Sequence, residues 1–236
     1  MVMNSSRKVQ ILNEVYKDRT GKTWRKEFDI IIDMIDNNSY VLDLGCGDGS
    51  LGEKLIIEKK CKVVGIDISK VAVEYAKKKG VDARVGNLEE PLDFEDNSFD
   101  YVILCDVLEH LFDPLFTLKE AFRVSKRYVI IAFPNFAYFK SRFELLFFGI
   151  FPRSPLFGYF WYNSQHIRLF SLKDFLKVLK DLNFNVRIVK REYISNKVIP
   201  KTLVDFFPNI LANVCVLKMS KLGLKIEEIK EYRFDI

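Results

Sequence analysis

The sequence has few residues of the types that build disulfide frameworks and metal centres. Its 236 residues include four widely separated cysteines, with no C-x-x-C pair, and two histidines, His110 and His166. Scattered cysteines are typical of buried thiols in a reducing compartment, so we expect a cytoplasmic protein without disulfides or a zinc site. Two histidines are too few for a histidine-rich centre, and we predict no bound metal.

Long hydrophobic runs are also missing. Residues Met1–Thr20 contain no apolar core of the kind found in a signal peptide. The nearest approach to a membrane helix, Phe143–Phe151, is interrupted by Glu144 and is far shorter than the roughly 18 apolar residues that such a helix needs. We therefore predict no transmembrane segment, and we find no internal repeat.

The charges are unevenly distributed along the chain. Residues 1–118 carry 16 basic and 22 acidic side chains, a net charge of −6, whereas residues 119–236 carry 21 and 10, a net charge of +11. The basic half is predicted to meet an anionic acceptor, an acidic partner or, by peripheral contact, an anionic membrane surface. Its basic residues lack the aromatic-interleaved pattern of an RNA platform, so we expect no nucleic-acid partner.

Short β-rich runs alternate with helical patterns after residue 40. Strands are predicted at 40–44, 62–67, 83–85, 99–105, 127–133, 186–193 and 214–219, and helices at 50–60, 71–79, from 114 and at 171–182. Residues 1–38 are predicted to be a helical extension, with one apolar face formed by Trp24, Phe28, Ile31, Ile32 and Ile35. The length and the alternation favour one α/β domain over 1–236, with ligands at the carboxyl ends of parallel strands.

A glycine-rich turn follows the first predicted strand. Residues Asp43–Gly49 read Asp-Leu-Gly-Cys-Gly-Asp-Gly, and Asp67 ends the next strand. Glycines allow positive φ and close approach of a ligand to the backbone, and a terminal carboxylate can accept hydrogen bonds from ribose hydroxyls. The combination predicts an adenosine-containing cofactor. Ser50 stands where a dinucleotide-binding motif has its third glycine, which disfavours a nicotinamide dehydrogenase.

These motifs resemble the class I S-adenosylmethionine (SAM) dependent methyltransferases. The resemblance rests on residues 43–49, 67–69, 86–88, 96–102 and 105–110. It implies an α/β, Rossmann-like, seven-stranded and mostly parallel sheet. It also implies a methyltransferase that uses SAM and acts on an unidentified acceptor, anionic or lipophilic.

The resemblance further implies which residues bind the cofactor. Asp43 and the loop of Gly45, Cys46, Gly47 and Gly49 would hold the methionine part of SAM. Asp67 would bind the ribose and Ile68 would pack on the adenine. Asn87 and Leu88 would contact the edge of the adenine. Asp106 would contact the ammonium of the methionine part.

A narrower resemblance is to the MetW-like methionine-biosynthesis family. It is carried by Phe133–Phe136, Trp161-Tyr162, Ser171–Phe175 and Phe207–Asn209. The family pattern differs at residues 108–110 and 165–168. This resemblance implies an alternative function, a SAM-binding accessory subunit of a homoserine O-acyltransferase.

Aromatic side chains are concentrated in residues 133–170, which hold 14 of the 33 in the chain. We predict that 134–170 forms a cap over the substrate. Within 135–148, one helical stripe contains Phe136, Phe139, Phe143, Leu146 and Phe147. Three interpretations remain open for this segment: core packing, a partner or oligomer face, and a surface for a membrane or lipid-like substrate. Anionic substrate groups would pair with flanking arginines: Arg142, Arg153 and Arg168.

Three side chains are candidates for catalysis. His110 and His166 have unperturbed pKa values close to working pH and could accept a proton from an acceptor nucleophile. Tyr162 is a similar candidate, and a purely structural role for His110 remains open. Glu109 and His110 together suggest a metal site, but the sequence offers no further ligand at a suitable spacing.

Overall fold

A computed structural model describes residues 25–153, 160–181 and 184–221, together with Gln10, Asn13 and Glu14. The described helices are α1 (Lys26–Asp33), α2 (Ser50–Lys59), α3 (Lys70–Lys78), α4 (Pro114–Val124), α5 (Phe139–Phe148), α6 (Leu172–Asp181), α7 (Lys201–Phe206) and α8 (Pro208–Leu211). The strands are β1 (Tyr40–Leu44), β2 (Lys62–Asp67), β3 (Asp82–Val85), β4 (Phe99–Cys105), β5 (Ser125–Pro134), β6 (Val186–Ile194) and β7 (Val214–Lys221). Most of the predicted extension at 1–38 lies outside the described residues.

The seven strands form one sheet in the order β3-β2-β1-β4-β5-β7-β6. β1 pairs in parallel with β2 and with β4, so that Leu44 lies opposite both Ile66 and Leu104. β2 also pairs in parallel with β3. β7 runs antiparallel to both of its neighbours, β5 and β6. The predicted α/β fold with seven strands is confirmed, as a mixed sheet whose last strand is antiparallel.

The first of two compact units contains the chain up to Leu104 and residues Leu115–Arg127. Its strands are rich in valine, isoleucine and leucine because they are buried on both faces. The predicted apolar face of α1 is buried at Phe28, Ile31, Ile32 and Ile35, whereas Trp24 lies outside the described residues. The hydroxyl of Tyr101, a large residue of this core, donates a hydrogen bond of 2.7 Å to Asp36.

Helix α2 lies very close to its neighbours in the first unit. A Cβ added at Gly52 would come within 2.7 Å of Val81, and one added at Gly49 would come within 2.7 Å of the Ala76 backbone. Gly49 also has a φ of +75°, which side chains rarely adopt. The sequence therefore needs glycine here to bring the start of α2 against α3.

Asn135 organises the second unit, which contains Cys105–Pro114 and the chain from Tyr128 onward. Its side chain is fully buried. The amide nitrogen donates to the carbonyls of Ala212 at 2.9 Å and Asn209 at 3.1 Å, and the amide oxygen accepts from Leu172 N–H at 3.2 Å. One side chain thus joins the end of β5 to the starts of α6 and β7.

The two ends of the aromatic segment lie side by side in the second unit. The backbone N–H of Phe136 donates to the carbonyl of Phe170 at 3.1 Å. Ser171 and Asp174 then begin α6 with reciprocal bonds: the Ser171 hydroxyl donates to the Asp174 carboxylate at 2.8 Å and accepts from Asp174 N–H at 3.1 Å. Ser171 thus caps α6, the helix predicted at 171–182.

Helix α5 within this segment is largely exposed. Of its ten residues only Ser141 is buried, and Leu146 is 77% exposed. The core-packing interpretation of the aromatic stripe is therefore wrong for α5, because the stripe at Phe143, Leu146 and Phe147 faces away from the chain's own core. The segment also begins its helix later than expected, since residues 135–138 form a turn.

Two smaller findings concern the predicted absences. All four cysteines are buried free thiols, as predicted. Among the described residues, no helix is both long enough and apolar enough to cross a membrane.

Candidate functional site

The glycine-rich loop in the first unit is held against the end of β2. The N–H groups of Gly45 and Cys46 both donate to the carbonyl of Ile66, at 2.7 and 3.1 Å. Gly45 and Gly47 have φ values of +78° and +54°. The loop therefore turns sharply after β1 in a conformation that depends on glycine.

Asp67 is locked in place by two backbone N–H groups. Its carboxylate oxygens accept from Gly47 at 2.9 Å and from Ser69 at 2.8 Å. Burial raises the pKa of Asp67, and the two hydrogen bonds oppose that rise. The loop thus connects directly to the side chain that the resemblance assigns to ribose.

Asp43 is a second buried carboxyl near the same loop. Burial raises its pKa to about 7, the negative charge of Asp67 adds to this rise, and Arg25 opposes it. Two carboxylates in one buried region repel each other when both are ionised. A cationic ligand would relieve this repulsion, whereas a pyrophosphate would increase it.

The other loop residues have structural roles. The Cys46 side chain lies against Gly65, where an added Cβ would come within 2.7 Å of the sulfur, and burial raises the pKa of its thiol. Ionisation of the Cys46 thiol is therefore disfavoured. Burial opposes ionisation of Asp48, but hydrogen bonds from Lys79 and Ser50 lower its pKa below the ordinary value.

The predicted adenine contacts lie after β2 and β3. Ile68 is half-buried, and Leu88 is buried with its carbonyl accepting from the Thr117 hydroxyl at 2.8 Å. Gly86 N–H donates to the Asp67 carbonyl at 3.0 Å, which joins the two strand ends. The Asn87 amide donates to Glu90 at 3.0 Å. Binding of adenine by these residues stays a prediction.

Asp106, in the second unit, has an unusual backbone conformation. Its φ is +53°, and its N–H donates to the carbonyl of Ala132 at 2.9 Å. Aspartate tolerates this left-handed region better than most residues. The role predicted for Asp106 beside the methionine ammonium is untested.

The two histidines come together in the second unit. Their ring centroids are 4.7 Å apart and the rings are nearly perpendicular, at 84°. Glu109, which is 1% exposed, joins them, and one potential ligand atom from each of the three residues lies within 4.8 Å of the others. The sequence singled out both histidines but did not place them together.

The other acceptor-side candidates are more exposed. Tyr162 is 67% exposed and stacks on Phe160, with 5.4 Å between ring centroids. Arg153 lies over the Phe160 ring at 4.2 Å, and Arg142 donates to the carbonyl of Ala137 at 2.7 Å. Arg168 donates to the Phe112 carbonyl at 2.6 Å. These arginines have internal contacts, so their pairing with a substrate stays a prediction.

One contact next to the glycine loop was not predicted from the sequence. The Ser69 hydroxyl donates to the side-chain oxygen of Asn13 at 2.6 Å and accepts from Ala72 N–H at 3.2 Å. No sequence pattern indicates the contact with Asn13, because the two residues lie far apart along the chain.

A family model described as methionine biosynthesis protein MetW matches residues 25–219. The chain belongs to the MetW family. The predicted family is thereby confirmed.

Relatives of this MetW chain include enzymes of different pathways. It is 31% identical over 163 residues to the bifunctional methionine biosynthesis protein MetXA/MetW of Rhodopirellula baltica, covering 65% of this chain but only 26% of that protein. It is 28% identical over 204 residues to the ubiquinone/menaquinone biosynthesis C-methyltransferase UbiE of Rickettsia felis, covering 77% and 82%. The demethylmenaquinone methyltransferase of Bacillus cereus is 37% identical over 130 residues, 51% of this chain and 54% of that protein.

Solved structures show the same fold. Magnesium protoporphyrin IX methyltransferase from Synechocystis, with bound SAH, has a TM-score of 0.66 at 18% identity, covering 92% of the MetW chain and 100% of its own. A putative methyltransferase in complex with the Trm112 activator of Haloferax volcanii has a TM-score of 0.64 at 15% identity, with coverage of 94% and 99%. The predicted class I methyltransferase fold is confirmed.

Proposed function

We propose that this MetW-family chain is a SAM-dependent methyltransferase. The observation that carries the proposal is the pair of buried carboxylates beside the glycine loop. Asp67 is held by Gly47 and Ser69, and Asp43 has a pKa of about 7, raised by burial and by Asp67. SAM carries an ammonium and a sulfonium as well as a ribose, so its binding would compensate both carboxylates.

The residues of the first unit fit the parts of SAM. Asp67 would accept from the ribose hydroxyls with its remaining lone pairs, since each carboxylate oxygen can accept more than one hydrogen bond. Asp43 would interact with the ammonium through the loop of Gly45 and Gly47. Ile68 would cover one face of the adenine, and Asn87 and Leu88 would meet its edge.

Bound SAM supplies an activated methyl group on a positively charged sulfur. The protein's task is then to hold an acceptor in line with that methyl, and such alignment is worth about 7–11 kcal/mol. We assign contact with the acceptor to three side chains: His110 and His166 would receive a proton, and Tyr162 would contact the substrate. The +11 charge of residues 119–236 favours an anionic acceptor.

The test is calorimetric titration of SAM into the full chain. We expect binding by the wild type and at least a tenfold loss of affinity in Asp67→Ala. The matched control is Asp82→Ala, which removes an exposed carboxylate of β3 paired with Arg84 and should bind as the wild type does. Absence of binding by the wild type, or equal binding by Asp67→Ala, would refute the cofactor assignment.

A second candidate function is that of a SAM-binding accessory subunit of a homoserine O-acyltransferase. Exposure of the apolar face of α5 favours it, since Leu146, Phe147 and Phe148 are 77%, 65% and 64% exposed. The Rhodopirellula relative is named as a bifunctional MetXA/MetW protein, and the Haloferax neighbour is bound to an activator. The covering partner would be a protein with a complementary apolar groove.

Two measurements separate the candidates. Capture of the acyltransferase from cytoplasmic extract, with no acceptor labelled by methyl-tritiated SAM, would favour the accessory role. A labelled acceptor, with no acyltransferase captured, would favour the methyltransferase. If the chain binds anionic vesicles and neither captures the acyltransferase nor labels an acceptor, α5 would instead be assigned to peripheral membrane contact.

A further inference from the structure

Two distant segments of the second unit are joined by backbone hydrogen bonds. Residues 108–110 form a short 3-10 turn after β4. The N–H groups of Ile167 and Arg168 both donate to the carbonyl of Glu109, at 2.8 and 3.0 Å. This clamp fixes the end of the aromatic segment beside the turn, and it sets the position of His166 relative to Glu109 and His110.

The clamp also orients the His110 ring. Its Nδ1 lies 3.0 Å from the carbonyl oxygen of Gln165. A carbonyl can only accept, so Nδ1 carries the proton and Nε2 is the nitrogen that can bind a metal. A carbonyl or carboxylate held on the second ring nitrogen is the usual support of a metal-binding histidine.

His166 supplies a third potential donor, from a segment far along the chain. Its backbone N–H is bound to the Ser164 hydroxyl at 3.1 Å, which shapes the turn that carries it. The donor atoms of Glu109, His110 and His166 lie within 4.8 Å of one another. Donors about 2.1 Å from a shared ion lie roughly 3–4 Å apart, so small side-chain rotations suffice to close the site.

We propose that Glu109, His110 and His166 bind one divalent transition-metal ion. Two imidazoles with one carboxylate suit manganese, iron, cobalt, nickel or zinc, whereas magnesium and calcium prefer oxygen-only sites. The doubly charged ion would offset the charge of the Glu109 carboxylate, which is 1% exposed. Three protein ligands leave at least one position open for another donor.

The open position has a natural use that rests on the proposed function. A metal-bound acceptor oxygen has a lowered pKa and a fixed direction, so it would be a better nucleophile towards a methyl group. The histidines would then be ligands of the metal rather than the proton acceptor. Metal binding itself does not depend on the methyltransferase assignment.

The direct test is titration of Co²⁺ into chelator-treated full-length protein, followed by visible absorption. We expect one equivalent to bind with the weak d–d bands of nitrogen and oxygen ligation. Both His166→Ala and Glu109→Gln should lower affinity at least tenfold. The control is Glu90→Gln, which changes an exposed carboxylate of the first unit and should leave affinity unchanged. Any ligation of cobalt by imidazole must come from His110 or His166, because the chain has only two histidines.

Three outcomes would overturn the proposal: no binding by the wild type, equal binding by wild type and His166→Ala, or an intense thiolate band from cysteine ligation. A SAM titration on each variant checks that it folds, since the SAM residues of the first unit are unchanged. Absence of SAM binding by the wild type, with cobalt binding retained, would refute the proposed function alone. Absence of cobalt binding by the wild type, with SAM binding retained, would refute the metal site alone.

Discussion

Replacing Asp43 with asparagine should stabilise the ligand-free protein, and the gain should grow as the pH rises. Burial raises the pKa of this carboxyl from an ordinary 3.8 to about 7. A raised carboxyl pKa means that the folded state disfavours the ionised form. The cost of ionisation is therefore absent below about pH 4, grows as the pH rises and is complete above about pH 7. Asparagine has no such cost.

The size of the effect follows from the shift. Each pKa unit corresponds to about 1.4 kcal/mol, so the complete cost is about 4 kcal/mol. At pH 5 the cost is already about 2 kcal/mol because the unfolded chain ionises first. The difference between wild type and Asp43→Asn should thus increase by about 2–3 kcal/mol between pH 5 and pH 8.5.

Denaturant unfolding of both proteins at these two pH values measures the difference. Any pH-independent effect of the asparagine amide is the same at both pH values. It therefore cancels when the difference in free energy of unfolding at one pH is subtracted from that at the other. The control is Asp48→Asn: the pKa of Asp48 is lowered, so its stabilisation is lost only at more acidic pH, and the cost of removing it should be flat across this window. A flat difference for Asp43→Asn as well would refute the buried-carboxyl argument.

Three further predictions follow from the same structure. Wild type should release about half a proton more than Asp43→Asn on SAM binding near pH 7, and almost no more at pH 9, because Asp43 must ionise to meet the ammonium and proton uptake by the SAM amine cancels in the comparison; calorimetry in buffers of different ionisation enthalpy measures this, and a difference that does not vary with pH would contradict it. Gly49→Ala should lower the free energy of unfolding by about 2–4 kcal/mol, since the new Cβ would meet the Ala76 backbone at a φ of +75°; thermal and chemical unfolding would show it, and a variant as stable as wild type would mean that α2 and α3 separate freely. Phe147→Glu on α5 should change the free energy of unfolding by less than about 0.5 kcal/mol because the ring is exposed. The same variant should no longer bind the partner that covers α5. A clearly larger loss of stability would show that α5 packs against its own chain.

The parallel half of the sheet could be predicted because each of its elements is specified locally. The observed bounds of β1, β2 and β4 are those expected from the sequence, since β-branched runs and turn residues mark their ends. The glycine loop and Asp67 could also be predicted from the sequence. Close approach of the backbone to a ligand requires a combination of residue types that few other sites have. The order and antiparallel direction of β7 needed the structure itself.

The contact between the two histidines and the exposure of α5 could not be predicted from the sequence. His110 and His166 meet through backbone hydrogen bonds from Ile167 and Arg168 to Glu109, and no periodicity encodes such a contact. An apolar helix has the same pattern whether its partner is its own core or another molecule, so the exposure of α5 was open until its surroundings were known. Helices α7 and α8 are short and were not predicted at all.

The residues between Phe136 and the clamp on Glu109 form an exchangeable module. Because the segment is fixed by the bond from Phe136 to Phe170 and by that clamp, the residues before Ile167 can be lengthened, shortened or replaced without moving the strands that they interrupt. His166 lies on this module, whereas Glu109 and His110 lie outside it. Evolution could therefore change the outer surface and the third donor in one step while the sheet and the glycine loop are inherited intact. Descendants of one scaffold would then differ in what they bind without differing in how they fold.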